Sequence, residues 1–151
     1  MSTNKGRVKL NQFIRATPDE VFKAWTTPAL LKKWFCAEGL TPGKITGDVK
    51  VGGHYSGEMV GDGVTHTASG TYLEIVPGRK LVFTHGWNGP ENAATTVTVE
   101  FKGKDGGTEL TLIHERFDSP EEARGHEGGW KGTLANLANL FEKPAQARRA
   151  S

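Results

Sequence analysis

The chain has 151 residues, 36% of them hydrophobic, and its 19 Lys and Arg against 17 Asp and Glu leave a net charge of +2. That length suffices for one self-supporting domain with its own core, and the basic residues are scattered rather than clustered with aromatics, which excludes a nucleic-acid footprint. Cys36 is the one cysteine, the opening MSTNKGRVKLNQ lacks the apolar run of a signal peptide, and no stretch approaches the ~20 apolar residues of a bilayer span, so a reducing cytoplasm is the expected setting, without membrane attachment.

RVKLNQFI (7–14) alternates, with Val8, Leu10 and Gln12 on one face and Phe13 breaking the pattern, and reads as an opening strand. TPDE (17–20) follows as a capping box, Thr at the N-cap, Pro at the first helical position and Glu three residues after the cap. The helix it starts carries Val21, Phe22 and Trp25 and stops near Thr26. A second Thr-Pro pair opens a short helix over 27–35 with Leu30, Leu31, Trp34 and Phe35 on its apolar side.

From Gly43 to about Arg116 helical periodicity gives way to β-branched and aromatic runs punctuated by Gly and Pro. Strands are expected near 44–51, 53–60, 65–76, 80–87, 95–102 and 108–116, with turns at 52–53, 61–63, 77–79, 88–92 and 104–107. The last two alternate most clearly. Val97, Val99 and Phe101 share one face, as do Leu110, Leu112 and His114. Strand 65–76 is ambiguous, since Leu73 and Ile75 argue for one face and Tyr72 and Val76 for the other.

SPEE (119–122) is a further capping box. Beyond it Trp130, Leu134, Leu137 and Phe141 fall on one helical stripe. Gly125, Gly128, Gly129 and Gly132 each weaken that helix by up to roughly 1 kcal/mol relative to Ala, so a bend or break is expected before Trp130. Gly128 and Gly129 suggest close approach or movement at the mouth of a cavity with Trp130 on its wall. The alternative is that they let the helix pack tightly on a strand. The whole reads as one α+β domain over 1–151, ordered from about 7 to 142 and ending in a flexible tail.

TTPALLKKWF, GDVKVGGHYSGEM, GTYLEIVPGRKLVFTHGW, GTELTLIHERF and GGWKGTLANLANLF, in that order from about residue 8 to 142, together resemble the domain of the activator of HSP-90 ATPase homologues, in the START-like (SRPBCC, helix-grip) superfamily. The resemblance implies a curved antiparallel sheet of about seven strands gripping the C-terminal helix, in many members around a cavity. The superfamily hosts lipid carriers, receptors, cyclases and chaperone activators, so activity has to be argued from the site. The eukaryotic activators carry a separate N-terminal chaperone-binding domain, for which this chain leaves no room; direct transfer of the family's name into a function is therefore not expected.

The candidate site lies between the inward sheet face and the helix stripe. Its expected lining is Trp34, Phe35, Tyr55, Met59, Phe83, His85, Trp87, Val97, Val99, Leu112, His114, Trp130, Leu134 and Leu137. The same residues could instead simply fill a core. Acid–base chemistry would have to come from His54, His66, His85, His114 and His126 or from Glu58, Glu74 and Glu115, with His85 and His114 sharing strand parity with apolar neighbours. No metal-ligand spacing, nucleophile elbow or phosphate loop is present, so neither metal nor cofactor is expected. Cys36 reads as a small apolar filler. The favoured reading is a cavity binding a hydrophobic or aromatic small molecule. A cyclase, dehydratase or hydrolase using His or Glu is the alternative, and a chaperone regulator the third.

Overall fold

The computed structural model describes residues 6–35, 40–61, 63–87, 95–117 and 119–150, with side chains through Glu142. Cys36, the whole 88–92 turn, Asp62 of the 61–63 turn, the side chains of 143–150 and Ser151 of the expected tail fall outside the described set. Seven strands, β1 (Val8–Ile14), β2 (Thr41–Gly47), β3 (His54–Gly61), β4 (Val64–Val76), β5 (Lys80–Trp87), β6 (Thr95–Lys104) and β7 (Gly107–Glu115), join three helices, α1 (Pro18–Thr26), α2 (Pro28–Trp34) and α3 (Pro120–Ala150). The strands form one curled antiparallel sheet in the order β1-β7-β6-β5-β4-β3-β2. α3 lies against its inner face, the α+β helix-grip arrangement.

Local chemistry accounts for most boundaries. At α1 the Thr17 side chain accepts from the Glu20 N–H while the Glu20 carboxylate accepts from the Thr17 N–H, a complete capping box. Ser119 Oγ accepts from the Glu122 N–H at the start of α3. Between β6 and β7 the pair Lys104↔Gly107 leaves a two-residue turn whose residues, Asp105 and Gly106, both have positive φ, 52° and 79°, as a type I′ hairpin requires.

Three expectations are corrected. β2 spans Thr41–Gly47 rather than 44–51, because residues 48–53 fold back on themselves: Lys50 N–H bonds Asp48 O and Gly53 N–H bonds Lys50 O. The ambiguity of β4 is resolved by a bulge. The pairing passes from Tyr72↔Phe83 to Glu74↔Val82, so Leu73 is the extra residue and side-chain parity switches across it; Tyr72 and Ile75 both pack on the core while Leu73 is 48% exposed. Finally, α3 is a single helix through all four glycines, with no break before Trp130.

The core sits where the stripe of α3 meets the sheet. Val97, Val99, Phe101, Leu110 and Leu112 pair across β6 and β7 and are buried together with Leu134, Leu137 and Ala138. α1 and α2 close the other side with Trp25 and Trp34, whose rings meet edge to face at 4.7 Å, and the Trp34 indole N–H donates to the Ala24 carbonyl.

Candidate functional site

α3 contacts the sheet differently along its length. Its C-terminal half inserts Leu134, Leu137 and Ala138 into the core. The preceding turns place Glu122, Gly125, His126, Gly129, Trp130 and Thr133 on one face, at helical spacing, and that face borders a cavity of about 430 Å³ completed by Phe35, Met59, His85 and Trp87. The volume lies in the range of small-molecule sites, roughly 300–1,000 Å³. His85, Met59 and Trp130 are nearly fully buried and form the floor; Trp87, 36% exposed, and the exposed Glu122 and Gly125 form the rim.

The glycines keep this space open. A Cβ added at Gly125, Gly128 or Gly129 would meet nothing within 4 Å. Neither tight packing on a strand nor close backbone approach therefore explains them, and Gly125 and Gly129 leave room that longer side chains on the cavity face would fill.

Of the residues expected to line the site, Phe35, Met59, His85, Trp87 and Trp130 border the cavity. Tyr55 and Phe83 instead border a second void of about 20 Å³ beside Trp25, room for a water-sized guest at most. Trp34, Val97, Val99, Leu112, Leu134 and Leu137 are core residues that do not reach the cavity, and His114 sits behind its wall. Gly129 was expected at the cavity mouth and His126 among the titratable groups; Glu122, Gly125 and Thr133 are additions, of which Thr133, three residues after Trp130, and Glu122, four before His126, follow the helical spacing of that face.

The histidines are held in defined states. Thr95 Oγ1 donates to the His85 carbonyl at 2.6 Å, so its one proton is used and it accepts from His114 Nε2–H at 2.8 Å. The Trp130 indole N–H, a donor only, points at His114 Nδ1 at 2.9 Å. His114 is thus a neutral ring with both nitrogens satisfied, and a proton on Nδ1 would face another N–H. Burial, then the neighbouring His85 and His126, push its pKa down to about 2. This removes His114 from the acid–base candidates and makes it the support that orients Trp130.

His85 is built differently. Its Nδ1 lies 2.7 Å from Tyr55 Oη, which also donates to the Thr84 carbonyl at 3.1 Å. Burial, then His126, lower the His85 pKa to about 3. Burial raises Tyr55 well above the usual phenol value, with Tyr72 adding to it, so both partners are neutral at pH 7. Gly70 makes the contact possible: a Cβ there would lie 1.8 Å from Thr84 O and 2.6 Å from the Tyr55 ring. His126 completes the group, its ring centroid 6.3 Å from that of His85 and 5.2 Å from that of His114, with Nδ1–H donating to the Glu122 carbonyl. Among the described residues no group of three or more His, Cys, Asp or Glu is arranged to hold a metal ion, and no helix is long and apolar enough to cross a membrane.

Comparison with known proteins places this architecture. The family model described as Activator of Hsp90 ATPase homolog 1-like protein matches residues 15–142. The chain is 27% identical over 143 residues to the human and mouse proteins named Activator of 90 kDa heat shock protein ATPase homolog 1, covering 89% of itself and 39% of each of them. It therefore spans about two-fifths of the length of those relatives. Among solved structures, a Chromobacterium violaceum protein is similar at 28% identity and TM-score 0.77, covering 91% of this chain and 97% of that one. An AHSA1 protein from Silicibacter pomeroyi shares the fold at 24% identity and TM-score 0.79, covering 92% and 99%.

Proposed function

The chain belongs to the Activator of Hsp90 ATPase homolog 1-like family, and from that premise we propose that it binds a hydrophobic, aromatic small molecule between α3 and the sheet. The observation that carries the reading is the cavity itself: about 430 Å³, walled by Phe35, Met59, Trp87 and Trp130, beside a helix whose glycines leave it unfilled. The space opens past Trp87, Glu122 and Gly125, so a guest can enter and displace water from the apolar walls. Burial of an aromatic ring against these walls supplies affinity at about 25 cal/mol per Å² of apolar surface removed from water. A single cysteine, which leaves no internal disulfide, supports a reducing cytoplasmic setting.

The test is titration with the neutral polarity-sensitive fluorophore N-phenyl-1-naphthylamine. Saturable one-to-one binding is expected, reduced at least ten-fold by Gly129→Leu, which projects a side chain into the cavity, and unchanged by Gly128→Ala, which does not face it. Absence of saturable binding, or equal binding by Gly129→Leu, would refute the assignment.

The names of the human and mouse relatives favour a second reading, stimulation of a chaperone ATPase. An Hsp90 ATPase assay with and without the protein decides it; a rate unaffected at saturating protein rejects it.

A further inference from the structure

The cavity has a polar end at His85 and His126, whose hydrogen bonds fix which ring nitrogens can donate and which accept. In the β4–β5 ladder the pairing passes from Ser69↔Gly86 to Tyr72↔Phe83, and the Thr71 N–H is donated to Thr84 Oγ1 at 2.9 Å rather than to a backbone carbonyl. The Thr84 carbonyl is served instead by the Tyr55 hydroxyl. A phenol has one proton, so with that proton on Thr84 O the 2.7 Å contact between Tyr55 and His85 requires Nδ1–H of His85 as donor. On that assignment of the phenol proton, the neutral His85 ring carries its lone pair on Nε2.

That nitrogen has no hydrogen-bond partner among the described residues, yet the one fully sealed side-chain N or O atom without a partner among them is Trp25 Nε1. His85 Nε2 is thus reached through the cavity, although the residue is only 4% exposed. His126 spends its Nδ1–H on the Glu122 carbonyl and borders the same space. Glu122 adds a carboxylate at the rim, and no Lys or Arg is among the described residues that line the cavity.

Resting on the ligand-binding reading above, we propose that this cavity selects a neutral aromatic molecule bearing a hydroxyl group, a phenol, whose O–H donates to His85 Nε2 while its ring lies against Trp130 and Trp87. An acceptor-only ligand leaves His85 Nε2 unpaired beneath it, and an aromatic carboxylate meets that lone pair with no Lys or Arg among the described lining residues to balance it; both are penalised by the desolvation of unpaired polar groups. Tyr55 is a positioning residue here, since it sets the His85 tautomer without touching the ligand.

Displacement of N-phenyl-1-naphthylamine at pH 7.5 by 2-naphthol, 2-methoxynaphthalene, naphthalene and 2-naphthoate tests this. 2-Naphthol should bind at least ten-fold more tightly than the other three, and His85→Phe should reduce that preference below three-fold while the fluorophore still binds. Long-range proton–nitrogen spectra of the unsubstituted protein, recorded without ligand, should show His85 protonated on Nδ1 and His114 on Nε2, so the tautomer is decided even if His85→Phe fails to fold. Binding of 2-methoxynaphthalene or 2-naphthoate as tight as that of 2-naphthol, or a His85 ring protonated on Nε2, overturns the proposal while leaving a ligand cavity standing. Failure of the fluorophore itself to bind removes both.

Discussion

Trp130 is at once a core residue and a wall. It is 4% exposed, stacks on Trp25 at 6.2 Å, meets Phe35 at 6.0 Å and donates its indole N–H to His114. Reading it as a wall alone suggests that truncation should cost less than a packed aromatic; these contacts argue otherwise. Trp130→Ala should cost the full ~3–5 kcal/mol of a core aromatic in denaturant unfolding, and Leu137→Ala, fully buried on the same stripe, about 2–5 kcal/mol. The more informative change is Trp130→Phe. It keeps most of the ring but leaves His114 Nδ1 buried without its donor, a loss of ~1–3 kcal/mol beyond the change in volume. An unfolding midpoint equal to that of the parent would show that the Trp130–His114 hydrogen bond contributes nothing.

Helix α3 changes role along its length. The turns that carry Leu134, Leu137 and Ala138 interlock with the sheet, whereas the earlier turns present glycine to open space. Gly128 is exposed, away from the cavity, and has no neighbour within 4 Å of an added Cβ. Gly128→Ala should therefore stabilise the protein by about 0.5–1 kcal/mol through helix propensity and the reduced freedom of the unfolded chain. A rise in thermal midpoint with probe affinity unchanged is the expected result, and a fall would mean that the helix needs flexibility there. Gly70→Ala has the opposite sign, because its Cβ would collide with the Thr84 carbonyl and the Tyr55 ring, parts of the backbone and core that cannot move aside. Loss of cooperative unfolding or a severe fall in thermal midpoint is expected for it.

Acid exposes the buried histidines at the level of the whole molecule. His85 and His114 have native pKa values of about 3 and 2, below the 6.5 of an unfolded chain, so below pH 6.5 the unfolded state binds more protons than the native state. The stability they contribute is complete above about pH 6.5 and is lost as pH falls toward 3. Between pH 7.5 and 5 the two together should remove about 4 kcal/mol, at ~1.4 kcal/mol per pH unit for each below its unfolded pKa. That is a large share of the ~5–15 kcal/mol that holds a typical domain folded. Urea unfolding at stepped pH should show this decline, with a shallower slope in His85→Phe; a stability unchanged from pH 7 to 5 would mean that these rings are not buried neutral in solution. Chelation should leave the thermal midpoint where it was, and a fall of several degrees would reveal a metal.

Local signals made much of the fold legible before tertiary contacts are considered. Thr17-Pro18 and Ser119 announce helix starts by their own hydrogen bonds, Asp105-Gly106 is the turn its positive φ values demand, and the alternation in 95–101 and 108–114 is the period of a strand with one covered face. Five ordered motifs fix the family in the same way. What they could not convey is anything that depends on residues distant in sequence. The bulge at Leu73 is decided by pairing with Phe83 and Val82, and the continuity of α3 by packing of its second half on the sheet, which overrides four unfavourable glycines. The site divides for the same reason. The parity of His85 and His114 was visible in their strands, but one became a locked support and the other a free lone pair because Thr95, Trp130 and Tyr55 arrive from three different elements to satisfy different nitrogens. Sequence periodicity determines which face a side chain takes; which proton it keeps is decided by the partners that only the folded chain brings within 3 Å.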